Sequence, residues 1–287
     1  TRGLGMSRRK TLSIAVALAM TGGLFWLALR NVSLEQLWVV LKAARLRWLP
    51  VLGALTFIDF TIRAYRWTIL LTRAGLRPRT WSLLKLEAIG LAINNVLFMR
   101  LGEVARGYLA ARQLRLQMAT TLASIAVERA LDVAALLTLF IVASAFSPEI
   151  VPQTVRNFAL LALSGAVAAL AALSVAEKPL LPGGAIERRL RRWPKIHELV
   201  SQLAAGAAVL RSPRAAGKVI VLSLALWAVD ALFYWAGAAA LGLGGALSYG
   251  RSILVLSWAG AGAALPAAPG AFGTFEAAVK SIVVAFG

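Results

Sequence analysis

Long apolar runs decide what this chain can become. Thr11 to Leu29 is 19 residues, about 28 Å of helix at 1.5 Å per residue, which is enough to cross the hydrocarbon core of a bilayer. Trp48 to Leu71, Ala119 to Phe146, Val155 to Ala176, Val219 to Leu241 and Ile253 to Leu265 follow it. Such runs cannot all be hidden inside a soluble domain of 287 residues, and an apolar share of 60% with a mean hydropathy of +0.76 points the same way. The expected fold is an all-α polytopic integral membrane protein with about six transmembrane helices. Thr1 to Gly5, ahead of Met6, read as an artificial scar, leaving residues 6–287 as a single transmembrane domain. Arg8, Arg9 and Lys10 precede the first run, which reads as a retained span. A cleaved signal peptide is the alternative, and the length of the run and the lack of a small-x-small site argue against it.

Two stretches interrupt this regularity. Leu83 to Met99 carries Lys85, Glu87, Asn94 and Asn95, and Leu265 to Gly273 carries Pro266, Pro269, Gly270 and Gly273. Backbone that is not helical survives at membrane depth only inside protein or beside a wet cavity, so both stretches are expected to be re-entrant or broken helical hairpins. If Asn94 and Asn95 form the first turn, a short helix starting near Leu101 would aim its free N–H groups at an anion, with Arg100 and Arg106 nearby. An interfacial tether and a simple proline kink are the plainer readings of the two stretches. Paired broken segments suit a transporter built from an inverted repeat.

The formal charge of +19 arises from 31 Lys and Arg against 12 Asp and Glu. With the N terminus in the cytoplasm, 21 of the 31 bases fall in cytoplasmic loops, six fall outside, and Arg63, Arg66, Arg129 and Lys280 remain embedded. The segment 177–218 reads as a basic amphipathic loop lying on anionic lipid, with Ile186, Leu190, Ile196, Leu199, Leu203 and Leu210 on one face; a plain solvated connector is its alternative. Leu34, Leu37, Trp38 and Leu41 repeat likewise on the outer side. A nucleic-acid partner is not expected, because Trp and Phe lie in apolar runs rather than on a basic face. Zero Cys and a lone His197 exclude thiolate chemistry, disulfides and multi-His metal sites. No cofactor is expected, and no P-loop spacing is present.

Acids carry the sharper signal. Seven of the 12, namely Asp59, Glu87, Glu103, Glu128, Asp132, Asp230 and Glu276, lie within or beside apolar segments, where each mid-membrane charge costs about 2.5–3.5 kcal/mol or more. Asp59, Arg63 and Arg66 share one helical face at i, i+4 and i+7, so Asp59 is expected to pair with Arg63 and leave Arg66 free for a phosphate. The alternative is a pair of snorkelling arginines beside the interfacial Tyr65 and Trp67. Glu128 and Asp132 share a face and Arg129 reaches Asp132 at i+3, which suits either a buried network holding helices together or a site that moves a headgroup or proton.

Four motifs in order carry a resemblance: Arg63-x-x-Arg66-Trp67, the Asn-rich stretch running to Arg100-Leu-Gly-Glu-Val-Ala-Arg106, the pair Glu128-Arg129 in a span, and Pro266-x-x-Pro269-Gly270-x-x-Gly273-x-x-Glu276. Over nearly its whole length the chain resembles the membrane domain of the lysylphosphatidylglycerol synthase/flippase family, including the N-terminal region of the multiple peptide resistance factor and its stand-alone relatives. The resemblance implies a bacterial inner-membrane protein that moves a phospholipid or lipid-linked headgroup between leaflets, and relatives that continue into a C-terminal tail. Arg63, Arg66, Arg100 and Arg106 would then hold phosphate. Glu103, Glu128, Asp132, Asp230 and Glu276 would position those arginines or neutralise an amine, with Asn94, Asn95 and Arg129 beside them. The synthase activity of fused relatives is not expected of these 287 residues. The expected partners are the transported lipid and an anionic lipid surface, and a homo-oligomer is compatible with the pattern. Two other classes compete: a lipid-modifying enzyme using Glu103 or Glu128 as general base, and a non-transporting scaffold of a lipid-processing complex.

Overall fold

Apolar chain in hydrocarbon can satisfy its own N–H and C=O groups as helix, and the runs among the described residues do so. The computed structural model describes residues 26, 33–73, 78–96, 101–176, 180, 184–190, 192–264 and 273–286, and no strand occurs among them. In chain order come α1 (Leu34–Lys42), a 3₁₀ turn at Leu46–Trp48, α2 (Leu49–Arg73), α3 (Thr80–Val96), α4 (Leu101–Leu114), α5 (Met118–Ala145) and α6 (Gln153–Val175). Then follow α7 (Ala185–Leu190), α8 (Pro194–Gly206), a 3₁₀ turn at Ala207–Arg211, α9 (Pro213–Ala240), α10 (Tyr249–Ala264) and α11 (Thr274–Val284). Boundaries follow the apolar runs closely except in α9. Pro213 takes the first helical position, where its missing N–H costs nothing, and the helix therefore begins ahead of Val219 and includes Arg214 and Lys218.

The central element is α5, which packs against α2, α4, α6, α8, α9 and α10. One apolar core gathers Trp67, Leu70, Leu83, Ile125 and Val219; a second gathers Phe140, Val151, Ala231 and Leu254. Glu128 and Asp132 sit on α5 where the first core gives way to the second, and both are buried. Helices α2 and α9 run antiparallel along it. The rings of Trp48 and Trp235 meet edge to face at 5.6 Å, Arg63 meets Asp230, and Ser223 meets Arg66, so the start of α2 lies at the end of α9.

Two helix pairs complete the bundle. Helices α3 and α4 are antiparallel, and Asn94 Oδ1 accepts a hydrogen bond of 2.7 Å from the Gly102 N–H. Helices α10 and α11 are also antiparallel: Arg251 near the start of α10 lies 5.2 Å from the ring of Phe286, just past the end of α11. The first pair follows the end of α2 and the second follows the end of α9, so they enter the bundle from opposite ends. Glycines allow each crossing. A Cβ on Gly90 would lie 3.2 Å from both Gly102 O and Arg106 Cβ, and one on Gly262 would lie 2.7 Å from Thr274 O and 2.6 Å from Ala278 Cβ. In both pairs the glycine at position i meets the backbone oxygen at i+12 and the side chain at i+16.

Several expectations change. Asn94 and Asn95 do not form the turn; they occupy the last turn of α3, while the next helix begins at Leu101 as its spacing suggests. The Asn94 side chain caps that helix, removing one N–H from any anion site there. Only α6 and α9, among the described residues, are by themselves long and apolar enough to cross a membrane. Helices α2 and α5, at 25 and 28 residues, have the length but turn charged residues into the bundle. The first apolar run lies outside the described residues apart from Trp26. In residues 192–211 Ala204, Ala207 and Val209 are fully buried while Leu199 and Ile196 stay exposed, and the side chains of Ile186 and Leu190 lie outside the described residues. Small side chains let this segment dock, since a Cβ on Gly206 would sit 3.1 Å from Ala123 O.

At Gly102 a Cβ would lie 1.9 Å from Gly90 O, whereas at Gly53 it would meet nothing within 4 Å. Gly102→Ala is expected to lower the apparent Tm of the detergent-solubilised protein, costing about 2–3 kcal/mol through forced helix separation. Gly53→Ala, in the second turn of α2, is expected to leave stability unchanged or raise it by up to about 1 kcal/mol.

Candidate functional site

Carboxylates and guanidinium groups spread over five helices meet around Glu128. Its Oε1 accepts hydrogen bonds from Arg66 Nη2 at 3.2 Å and Arg129 Nη2 at 2.5 Å, and its Oε2 accepts one from Arg106 Nη2 at 3.3 Å. Arg66 Nη1 donates to Asp132 Oδ1 at 2.5 Å and to Ser223 Oγ at 2.8 Å. Asp132 Oδ1 also accepts from Trp227 Nε1 at 3.3 Å, and its Oδ2 lies 3.0 Å from Arg129 Nη2. Arg106 forms an ion pair with Glu87 and stacks over Trp67, 4.5 Å from the ring centre. Trp67 is held in turn by an indole N–H donated to Ser124 Oγ at 3.1 Å.

A second layer is wetter. Arg63 Nε donates to both oxygens of Asp59, at 2.9 and 3.1 Å, and its Nη2 donates to Asp230 Oδ2 at 3.2 Å. Arg129 Nε lies 3.8 Å from Glu103 Oε1. The side chains of Arg66 and Glu128 are wholly buried, whereas those of Glu103 and Arg129 are 31% and 34% exposed. The network thus has a dry half, centred on Arg66, Arg106 and Glu128, and a half open to a small polar cavity. That cavity is about 140 Å³, lined by Asp59, Arg63, Glu87, Asn94, Glu103 and Arg129 among others. Gly90 and Gly102 form part of its wall, so the close α3–α4 crossing shapes it.

Counted as ionised groups, the network holds Arg63, Arg66, Arg106 and Arg129 against Asp59, Glu87, Glu103, Glu128, Asp132 and Asp230, leaving two carboxylates in excess. Arg66 is therefore not free for a phosphate. It is buried and held by two carboxylates, because α5 and α9 place Glu128, Asp132 and Ser223 against the face that α2 offers. The pairing of Asp59 with Arg63 and of Arg129 with Asp132 follows the helical spacing. Glu276 is not gathered with the others: its Oε2 accepts a 2.6 Å hydrogen bond from the Gly273 N–H and so caps its own helix. Gly273 has φ of 88°, a conformation suited to glycine. Arg100, Pro266, Pro269, Gly270 and the side chain of Asn95 lie outside the described residues.

The family model for the lysylphosphatidylglycerol synthase TM region matches residues 12–287. The chain belongs to this family. It is therefore a member of a family of membrane domains named for lipid chemistry. No curated protein and no solved structure matches the chain. In this lysylphosphatidylglycerol synthase TM-region chain, the network also recruits Asp59, Glu87, Trp67, Ser223 and Trp227, which lie outside the candidate set read from the sequence. Asp59 and Glu87 announce themselves as acids in apolar runs. Ser223 and Trp227 carry no such signal, because serine and tryptophan are ordinary residues in a span.

Removing one partner from a buried pair costs more than the pair itself contributes, since a charge is left in low dielectric. Glu128→Gln, which strips an anion from three guanidinium groups, is expected to destabilise the protein by about 3–5 kcal/mol. Glu103→Gln removes only a half-exposed contact and is expected to cost under about 1 kcal/mol. Apparent Tm by intrinsic fluorescence in detergent separates the two; equal losses would contradict the division into dry and wet halves.

Proposed function

We propose that this chain is a lipid flippase that moves a phospholipid or lipid-linked headgroup between the leaflets of a bacterial inner membrane. In this reading the N terminus is cytoplasmic, about six helices span the bilayer, and α3–α4 and α10–α11 are re-entrant pairs. Helix lengths support this: α4 has 14 residues and α10 has 16, about 21 Å and 24 Å, both short of the hydrocarbon thickness. The observation that carries the proposal is the wet half of the charge network, which gathers ionised side chains of α2, α4 and α5 around one cavity.

The chemistry suits partner exchange. A guanidinium committed to a carboxylate can pass to a phosphate without ever being unpaired in low dielectric, and Arg129, whose contact to Glu103 is the longest in the network, is the first candidate. The displaced Glu103 would then meet a headgroup amine or a proton, as the excess of carboxylates allows. The Nε groups of Arg106 and Arg129 are buried without a hydrogen-bond acceptor among the described residues, an unmet demand that water or a headgroup oxygen would fill. At about 140 Å³ the cavity has room for roughly four or five waters and not for a glycerophosphate group, so passage requires the α3–α4 pair to move.

Proteoliposomes carrying a labelled phospholipid in one leaflet test this reading. The protein is expected to accelerate exchange, and Glu103→Gln is expected to slow it at least about tenfold with Tm within a few degrees of the wild type. Chemical conversion of the lipid without exchange would favour a lipid-modifying enzyme. Neither exchange nor conversion across phosphatidylglycerol, phosphatidylethanolamine and their aminoacylated forms would leave a scaffold.

A further inference from the structure

The end of α2 and the start of α9 form a groove of about 380 Å³, distinct from the charged cavity and lined by Tyr65, Thr68, Ile69, Arg214, Ala215 and Lys218 among others. Its walls are mostly apolar. Arg214 and Lys218, one helical turn apart at the start of α9, are exposed, and neither meets a carboxylate among the described residues. This contrasts with the charged cavity, where every lining arginine is held by acids. Tyr65 is half-exposed at the opposite wall, offering an amphipathic ring of the kind that settles at headgroup depth. The groove lies at the end of the bundle that loop charge assigns to the cytoplasm, flanked by α9, which is long and apolar enough to span.

We infer that this groove is a binding site for one anionic glycerophospholipid of the cytoplasmic leaflet. Its phosphodiester bridges Arg214 and Lys218, and its upper acyl chains lie along Ile69, Ala215 and the Tyr65 ring. The guanidinium supplies two parallel N–H donors to phosphate oxygens and the ammonium supplies a point charge. The assignment to lipid, and not to free phosphate, rests on the apolar wall: a free anion would gain nothing from it, whereas an acyl chain gains burial. The site needs only that α2 and α9 cross the membrane side by side, so it stands or falls independently of translocation.

Native mass spectrometry of the full chain in detergent, titrated with dioleoylphosphatidylglycerol, tests the inference. The Arg214→Gln/Lys218→Gln variant is expected to bind the first lipid at least about fivefold more weakly than the wild type, from the loss of two charge-assisted contacts. Arg188→Gln/Arg189→Gln, which removes the same charge from α7, is expected to leave that affinity unchanged. Arg214→Lys/Lys218→Arg, with both charges kept, is expected to stay within about twofold, which separates loss of a site from loss of fold. Millimolar inorganic phosphate is not expected to displace the lipid. Equal affinity in the Gln variant and the wild type, equal weakening in the α7 control, or displacement by inorganic phosphate would each overturn the assignment. Leaflet exchange measured on the same Gln variant reports separately on the transport reading.

Discussion

One carboxylate holds the middle of this bundle together. Glu128 takes hydrogen bonds from guanidinium groups on α2 and α4 and from its neighbour on α5, and it has no contact with solvent. Three cations around a single anion would repel one another strongly in low dielectric, so Glu87, Asp132 and Ser223 are needed to share the load. This dependence explains why acids occur on α2, α3, α4, α5 and α9 at one level of the bundle. Each helix that brings an arginine to the centre requires an acid from another helix to balance it. The helices are thereby fixed in register in a way that apolar packing alone, with lipid as alternative partner, would not fix them.

Much of this was legible from where charge is too costly to leave unpaired. Six of the seven embedded acids converge on the network, and the pairs Asp59–Arg63 and Arg129–Asp132 lie at helical spacing. Longer-range pairing was not legible. Spacing on α2 shows that Arg66 shares a face with Arg63, but it cannot show that α5 and α9 bring Glu128, Asp132 and Ser223 to that face. Asn94 misled for a similar reason: asparagine near a break suggests a turn, yet its side chain reaches across the tip to cap the following helix from within the preceding one. In residues 192–211 the large apolar residues suggested a face, while burial went to alanine and valine, because close docking on α5 rewards small side chains over large ones.

The two helix pairs show a kinship that residue identity hides. Gly90 faces Gly102 and Arg106, and Gly262 faces Thr274 and Ala278, with the same intervals of 12 and 16 residues in each. What is repeated is the closeness of the crossing; what differs is the side chain placed beyond it. The first pair puts Arg106 there and joins the charged centre. The second puts Ala278 there and stays apolar, with Glu276 spent on capping. The two pairs enter from opposite ends, each after one of two antiparallel helices, and of the two only the first supplies charged side chains to the ion pairs of the centre among the described residues.

That asymmetry bears on which pair could move. Glu87 and Arg106 neutralise each other within the α3–α4 pair, so its displacement would separate only Glu103, already 31% exposed, from its partner on another helix. Its charged contacts to the rest of the bundle are Arg106 to Glu128 at 3.3 Å and Glu103 to Arg129 at 3.8 Å, the two longest ion pairs of the site. The contacts that tie α2 to α5, by contrast, are 2.5 Å from Arg66 to Asp132 and 3.2 Å from Arg66 to Glu128, and both are buried. The network is tight between α2 and α5, loose toward α3 and α4, and the cavity lies along the loose seam. A pair that carries its own counter-ion can open that seam at the cost of two long contacts and the stacking of Arg106 on Trp67, while Glu128 keeps Arg66 and Arg129 and remains neutralised throughout.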